Sequence, residues 1–96
     1  MNMTISFDRK LRATPDTLIN LIEGESVLLN LKSESYFGLD EMGTEMWTAL
    51  TTSDSIEAAY EKLLGEYEVE PDTLRNDLSA LVAQLTEKGL LEAGVE

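Results

Sequence analysis

The side chains with the most chemical capacity in this sequence are carboxylates, and three close pairs stand out: Asp40/Glu41, Glu41/Glu45 and Glu57/Glu61. Paired carboxylates can divide general acid and base roles or hold a metal ion. Here the i, i+4 pairs fall on helix faces opposite the apolar stripes, where solvated carboxylates are ordinary. Calcium would ask for closely spaced oxygen ligands around a glycine turn, and no such loop occurs. The one glycine with polar neighbours, Glu23-Gly24-Glu25, would repel a phosphate. Serines and threonines are numerous, but none has a histidine or a suitably spaced lysine as base. The chain contains no cysteine and no histidine. Disulfides, thiolate nucleophiles, Cys/His zinc sites and histidine acid–base chemistry are thereby excluded. The residues predict a protein that is not an enzyme, with no catalytic residue, no metal and no cofactor.

Charge narrows the partners. The net charge is −12, and it is uneven: residues 1–39 carry four basic and five acidic side chains, whereas 40–96 carry three and fourteen. Such a surface repels phosphate backbones and releases no counterions from them, so nucleic acid is not an expected partner. Arg9, Lys10 and Arg12 form the one basic cluster, outside the helices. No apolar run approaches the ~18 residues of a membrane span. The start, Met1-Asn2-Met3-Thr4-Ile5, lacks the pattern of a signal peptide, so a cytoplasmic location and no membrane partner are expected.

The elements that would position a site follow from periodicity. Ninety-six residues, 43% of them apolar, suit one folded domain. The expected division is an N-terminal segment at 1–16, a sheet at 17–39 and helices at 40–92. Thr14-Pro15-Asp16 is turn chemistry. Thr17–Ile22, Ser26–Leu31 and Ser35–Leu39 read as three strands joined by short turns, which implies an antiparallel meander. The alternation of Ile5 and Phe7 suits a further short strand at Thr4–Phe7, followed by a charged connector at 8–12. Asp40 is a good N-cap for a helix with Met42, Met46, Trp47 and Leu50 on one face. Either Ser53 or Asp54 could cap a second helix, with Glu57 placed for a capping box from Asp54; its stripe is Ile56, Ala59, Tyr60, Leu63, Leu64 and Tyr67. Pro71 opens a third, whose stripe is Leu74, Leu78, Leu81, Val82 and Leu85, and Gly89 closes it. Leu90-Leu91 should pack back as a tail. The expected class is α+β, a winged helix-turn-helix-like arrangement of a three-stranded antiparallel sheet followed by three helices.

A small sheet leaves an edge, and an edge strand can accept an extended peptide as a further strand. In Tyr36-Phe37-Gly38-Leu39, Phe37 and Leu39 suit the core, Tyr36 faces the other way as a contact candidate, and Gly38 allows close approach of another backbone. The third helix would supply the opposite wall. Val82 widens its apolar face on the shoulder of Arg75 and Ser79, so the groove is expected there, with Leu78 and Val82 partly exposed. The other shoulder holds Asp77 and Gln84.

Two runs carry a family likeness: Leu28-Leu29-Asn30-Leu31 … Tyr36-Phe37-Gly38-Leu39-Asp40-Glu41-Met42-Gly43 … Trp47 … Leu50, and Leu74 … Leu78 … Leu81-Val82 … Leu85 … Lys88-Gly89-Leu90-Leu91. From about Thr17 to Glu92 the chain resembles the PqqD family of peptide-recognition elements (RiPP recognition elements). The resemblance implies a winged helix-turn-helix domain that binds the leader segment of a ribosomally made precursor peptide. The leader would add beside the third strand and third helix, at Ser35, Tyr36, Phe37, Gly38, Arg75, Leu78 and Val82. A freestanding member with this wording resembles the leader-binding protein of lasso-peptide biosynthesis, whose partner is a separate leader peptidase; quinone-cofactor and radical-enzyme pathways are the other homes. Many members have asparagine where Asp40 stands, which leaves the cap intact. The competing reading is an acidic winged-helix regulatory or protein-interaction module. A monomer is expected.

Overall fold

A computed structural model describes residues 6–94. Three strands meander antiparallel: β2 (Thr17–Ile22), β3 (Glu25–Asn30) and β4 (Ser35–Leu39), preceded by a short β1 (Leu11–Ala13). Helices α1 (Glu41–Thr52), α2 (Ile56–Glu66) and α3 (Pro71–Glu87) follow, and a short β5 (Leu91–Ala93) ends the described chain. The protein is α+β, with a three-stranded antiparallel sheet and three helices among the described residues.

Turn geometry sets the strand register. Ile22 pairs with Glu25, leaving Glu23 (φ 52°) and Gly24 (φ 87°) as a two-residue loop with both φ positive. That is the type I′ geometry whose twist matches the flanking strands. It makes Glu25 the first residue of β3, so the strand runs one residue earlier than the expected Ser26–Leu31. The register puts Ser26, Leu28 and Asn30 on the face toward the helices, opposite Phe37 and Leu39 of β4. Leu28 is fully buried there, and buried Ser26 hydrogen-bonds Thr44 of α1 at 2.8 Å.

The helices begin and end for identifiable reasons. The Asp40 carboxylate accepts from the Gly43 N–H at 2.7 Å, satisfying one of the orphan donors of the first turn. The α2 cap is neither Ser53 nor Asp54 but Ser55, whose hydroxyl accepts from the Ala58 N–H at 3.0 Å. Two further α2 donors, the N–H groups of Ile56 and Glu57, reach the carbonyls of Arg9 and Phe7. The N-terminal segment therefore completes the α2 cap, which a local capping-box pattern could not reveal. Pro71 opens α3, and Gly89 (φ 74°) ends it. Gly89 N–H bonds the Thr86 carbonyl and Leu90 N–H bonds the Leu85 carbonyl, the paired bonds of a Schellman motif.

β1 and β5 pair as a two-stranded antiparallel sheet, with Arg12 Nε 2.7 Å from Glu92 Oε2. This sheet occupies the expected charged connector and apolar tail. The part of the expected Thr4–Phe7 strand at residues 4–5 lies outside the described residues, and Ser6 and Phe7 are not in a strand. The core gathers Leu28 and Leu39 of the sheet, Trp47 and Leu50 of α1, Ile56 and Leu63 of α2, and the whole α3 stripe. Trp47 is buried in this cluster.

Candidate functional site

The sheet order is β2-β3-β4, so β4 pairs on one side only among the described residues. Its outer edge offers the N–H and C=O groups of a strand without a neighbour. That edge borders a groove of 560 Å³. Gly38 and Leu39 form one wall, Asp40, Met42, Gly43 and Met46 at the start of α1 form the floor, and Asp77, Ala80, Leu81 and Gln84 of α3 form the other wall. Met42 and Met46 supply the apolar part of the floor, the Asp40 and Asp77 carboxylates stand at its edges, and no cation lines it. Gly38 leaves its surroundings open: a Cβ there would meet no atom within 4 Å.

The seven expected contact residues separate into two groups. Ser35, Tyr36, Phe37 and Gly38 all lie on β4. Tyr36 is 73% exposed on the outer sheet face and Phe37 packs partly against the core, as their alternation along the strand requires. Of these four β4 residues only Gly38 lines the groove itself, and Arg75, Leu78 and Val82 do not. The expected exposure of Leu78 and Val82 is not found: they are 0% and 3% exposed. Their shoulder of α3 turns toward α2 and the N-terminal segment instead. Arg75 sits over the Phe7 ring at 4.1 Å and the Tyr60 ring at 5.1 Å, with Glu57 3.4 Å from its guanidinium. The groove opens on the opposite shoulder, at Asp77 and Gln84, and Ala80 and Leu81 complete its wall. Ala80 carried no signal in the sequence, since a small residue beside an apolar stripe marks neither contact nor core.

Arg75 is thus a clasp between three elements. Arg75→Ala is expected to lower stability by about 1 kcal/mol, the sum expected of an exposed cation–π contact and a solvated ion pair. It should leave peptide binding unchanged; thermal melts beside a peptide titration check both. Val82→Glu, by contrast, would bury a carboxylate and unfold the domain rather than report on a groove.

A smaller acidic depression joins Gly24, Glu41, Met42, Glu45 and Tyr67. Partial withdrawal from water, and then the neighbouring Glu45 carboxylate, push the Tyr67 phenol above its ordinary value. No group of three or more acidic side chains among the described residues is arranged to hold a metal ion. No helix among them is long and apolar enough to cross a membrane.

The family model for coenzyme PQQ synthesis protein D (PqqD) matches residues 25–91, from β3 to the start of β5. The chain belongs to the PqqD family. Two solved structures resemble this PqqD-family chain over most of its length. One is TbiB1 in complex with the TbiA(beta) leader peptide: 30% identity, a TM-score of 0.78, and coverage of 88% of this chain and 99% of that one. The other is lasso peptide synthetase B1 complexed with the leader peptide: 28% identity, a TM-score of 0.76, and coverage of 86% and 98%. A comparison with curated proteins found no match. The PqqD match ends where α3 has turned back through Gly89, so it spans both walls of the groove.

Proposed function

We propose that this protein is a non-catalytic recognition element that binds the leader segment of a ribosomally made precursor peptide and presents it to a partner enzyme. The observation carrying this reading is that β4 is an edge strand among the described residues, beside a groove walled by α3. An extended leader adds there as a fourth strand, using the β4 backbone for affinity and alternate side chains for selectivity. Every second leader side chain enters the groove over Leu39, Met42 and Leu81, and the others lie on the outer face near Tyr36. The likeness to TbiB1 and to lasso peptide synthetase B1, each in complex with a leader peptide, supports leader binding in lasso-peptide biosynthesis here; a separate leader peptidase would then be the partner enzyme.

In this reading α1–α3 and the β2–β3 hairpin form a winged helix-turn-helix arrangement in which the wing side serves peptide rather than nucleic acid. The exposed surface of α3 carries Asp72, Asp77 and Glu87, which repel phosphate. A cytoplasmic monomer of one domain fits this role. The contact set becomes Ser35, Tyr36, Phe37 and Gly38 of β4 with Asp77, Ala80, Leu81 and Gln84 of α3, in place of Arg75, Leu78 and Val82.

The test is an amide-resolved NMR titration with the synthetic leader of the precursor encoded beside this chain. Saturable shifts at Ser35–Gly38 and at Asp77–Gln84 are expected. Shifts confined to α2, or none at high peptide concentration, overturn the assignment. Gly38→Val gives a second readout. Its new side chain meets nothing in the fold and suits a strand, so stability should hold or rise. Peptide affinity should fall about threefold or more, because the added bulk stands where an incoming strand's side chain must lie.

A further inference from the structure

The two carboxylates of the β4–α3 groove are uncompensated. Asp40 uses Oδ1 to cap α1 at Gly43, which leaves its second oxygen and its charge beside a groove that Asp77 of α3 also lines. Neither has an ion-pair partner among the described residues, whose pairs are Arg12–Glu92, Lys62–Glu66 and Arg75–Glu57. Residues 40–96, which supply α1–α3, hold fourteen acidic side chains and three basic ones. Two of these three, Lys62 and Arg75, meet the α2 carboxylates Glu66 and Glu57. The third, Lys88, is the C-cap of α3 and does not line the groove. The positive end of α1 is no substitute, because Asp40 and Glu41 already meet it.

Desolvation then selects the occupant. In the unliganded protein both carboxylates are exposed to water. A peptide laid along β4 displaces part of that water, and a carboxylate that loses water without gaining a partner costs affinity. A wholly apolar or acidic segment leaves Asp40 and Asp77 worse solvated than before. A lysine or arginine gives them charge-assisted hydrogen bonds instead. Strand geometry admits such a residue beside the apolar contact. Alternate side chains of an added strand enter the groove ~6–7 Å apart, so one covers Met42 and Met46 while a neighbour two residues along reaches the carboxylates. Gln84, which shares a face of α3 with Asp77 and Ala80, is uncharged and does not oppose a cation.

We infer that Asp40 and Asp77 are specificity-determining residues, selecting a peptide that carries lysine or arginine at a groove-facing position. This rests on the leader-binding reading and names the chemistry of its ligand. The net charge of −12 works in the same direction at longer range, drawing a basic segment in and turning acidic ones away. The close contact is what distinguishes one basic position of the peptide from the rest.

The experiment titrates the synthetic leader of the precursor encoded beside this chain onto the full chain and its variants, at low and high salt. Asp40→Asn removes the charge and keeps the cap, since asparagine caps a helix as well as aspartate. Asp77→Asn changes an exposed position of α3, and thermal melts verify that both fold. Glu87→Gln, an equal loss of charge on α3 outside the groove, is the control. The double variant Asp40→Asn/Asp77→Asn is expected to bind the leader about fivefold or more weakly, and Glu87→Gln within about twofold of the parent. Parent affinity should fall more steeply with salt than that of the double variant. Each lysine and arginine of the leader is then replaced by glutamine in turn. One replacement should weaken binding to the parent about as much as the double variant does, and should cost the double variant little more. Leader affinity within about twofold in the double variant overturns the selectivity and leaves the leader-binding reading standing. So does a leader in which every basic residue can be replaced without loss. An equal loss in Glu87→Gln reduces the effect to long-range attraction and removes the role of Asp40 and Asp77. Failure of the parent to bind the leader at all overturns the leader-binding reading itself, and this one with it.

Discussion

Ala80→Glu is expected to weaken leader binding by at least tenfold, about 1.4 kcal/mol or more, while the domain stays folded. Ala80 is exposed on α3 and lines the groove between Leu81 and Asp77. A glutamate there projects into space that an incoming apolar side chain must fill. The carboxylate would have to be stripped of water against Leu39 and Met42 or displace the peptide, and either route costs affinity. It also adds a third carboxylate to a rim that already holds Asp40 and Asp77. The fold should be spared, because the site is solvent-facing and glutamate is a good helix former. Like-charge repulsion from Asp77 one turn earlier costs only about 0.2–0.5 kcal/mol. Calorimetric titration of the leader, with a thermal melt of the free variant, separates the two effects. Normal affinity in a folded Ala80→Glu variant would remove α3 from the peptide site.

The largest stability effect outside the apolar core is expected at Asn30. Its amide nitrogen donates to the carbonyls of Gly89 at 3.0 Å and Lys88 at 3.3 Å. Its amide oxygen accepts from the N–H groups of Lys32 at 2.9 Å and Ser33 at 3.2 Å. One buried side chain thus ties the β3–β4 turn to the end of α3. Thr14 Oγ1 also donates to the Gly89 carbonyl, at 2.7 Å, so the entry to β2 meets the same point. Asn30→Ala should cost about 2–3 kcal/mol, since four bonds are lost and the Lys88 carbonyl and the N–H groups of Lys32 and Ser33 lose their side-chain partner. For a chain of this size that is a fall in Tm of about 10 °C or more. Gly89→Ala acts on the same contact from the other side. The added Cβ would come within 2.8 Å of the Asn30 amide nitrogen at a residue with φ of 74°, adding left-handed strain of about 1–2 kcal/mol. Because both changes break one network, the double variant should lose less than the two single losses combined. Urea unfolding of all four chains measures this; full additivity would show that Asn30 and Gly89 act independently.

Such ties are legible only in the folded chain, whereas the elements themselves are largely legible in the sequence. Thr17–Ile22 and Ser35–Leu39 form strands with the boundaries their composition indicates, because apolar runs between turn residues have few alternatives at that length. Asp40, Pro71 and Gly89 mark helix ends through chemistry local to each position. The absence of cysteine and histidine, and the wording around Tyr36–Gly43 and Lys88–Leu91, likewise need no coordinates to point to the family. A run of Ser53, Asp54 and Ser55 offers three cap residues, and only the carbonyls of Phe7 and Arg9, far away in sequence, fix α2 to begin after Ser55. β1 and β5 are three residues each, too short for a period to show, and they exist because folding brings the two ends of the domain together.

The side of α3 that faces the groove belongs to the same class. Helical periodicity identifies the buried stripe Leu74, Leu78, Leu81 and Leu85, but a stripe has two shoulders, and the more apolar one, with Val82, is as well suited to burial as to a groove. The choice between them lies with neighbours that periodicity does not contain. Phe7 and Tyr60 hold Arg75 toward α2 and Val82 is buried, while Asp77, Ala80 and Gln84 line the groove beside β4. The sequence by itself determined which strand and which helix bound the groove; the tertiary packing of α2 and the N-terminal segment decided which face of that helix the groove meets.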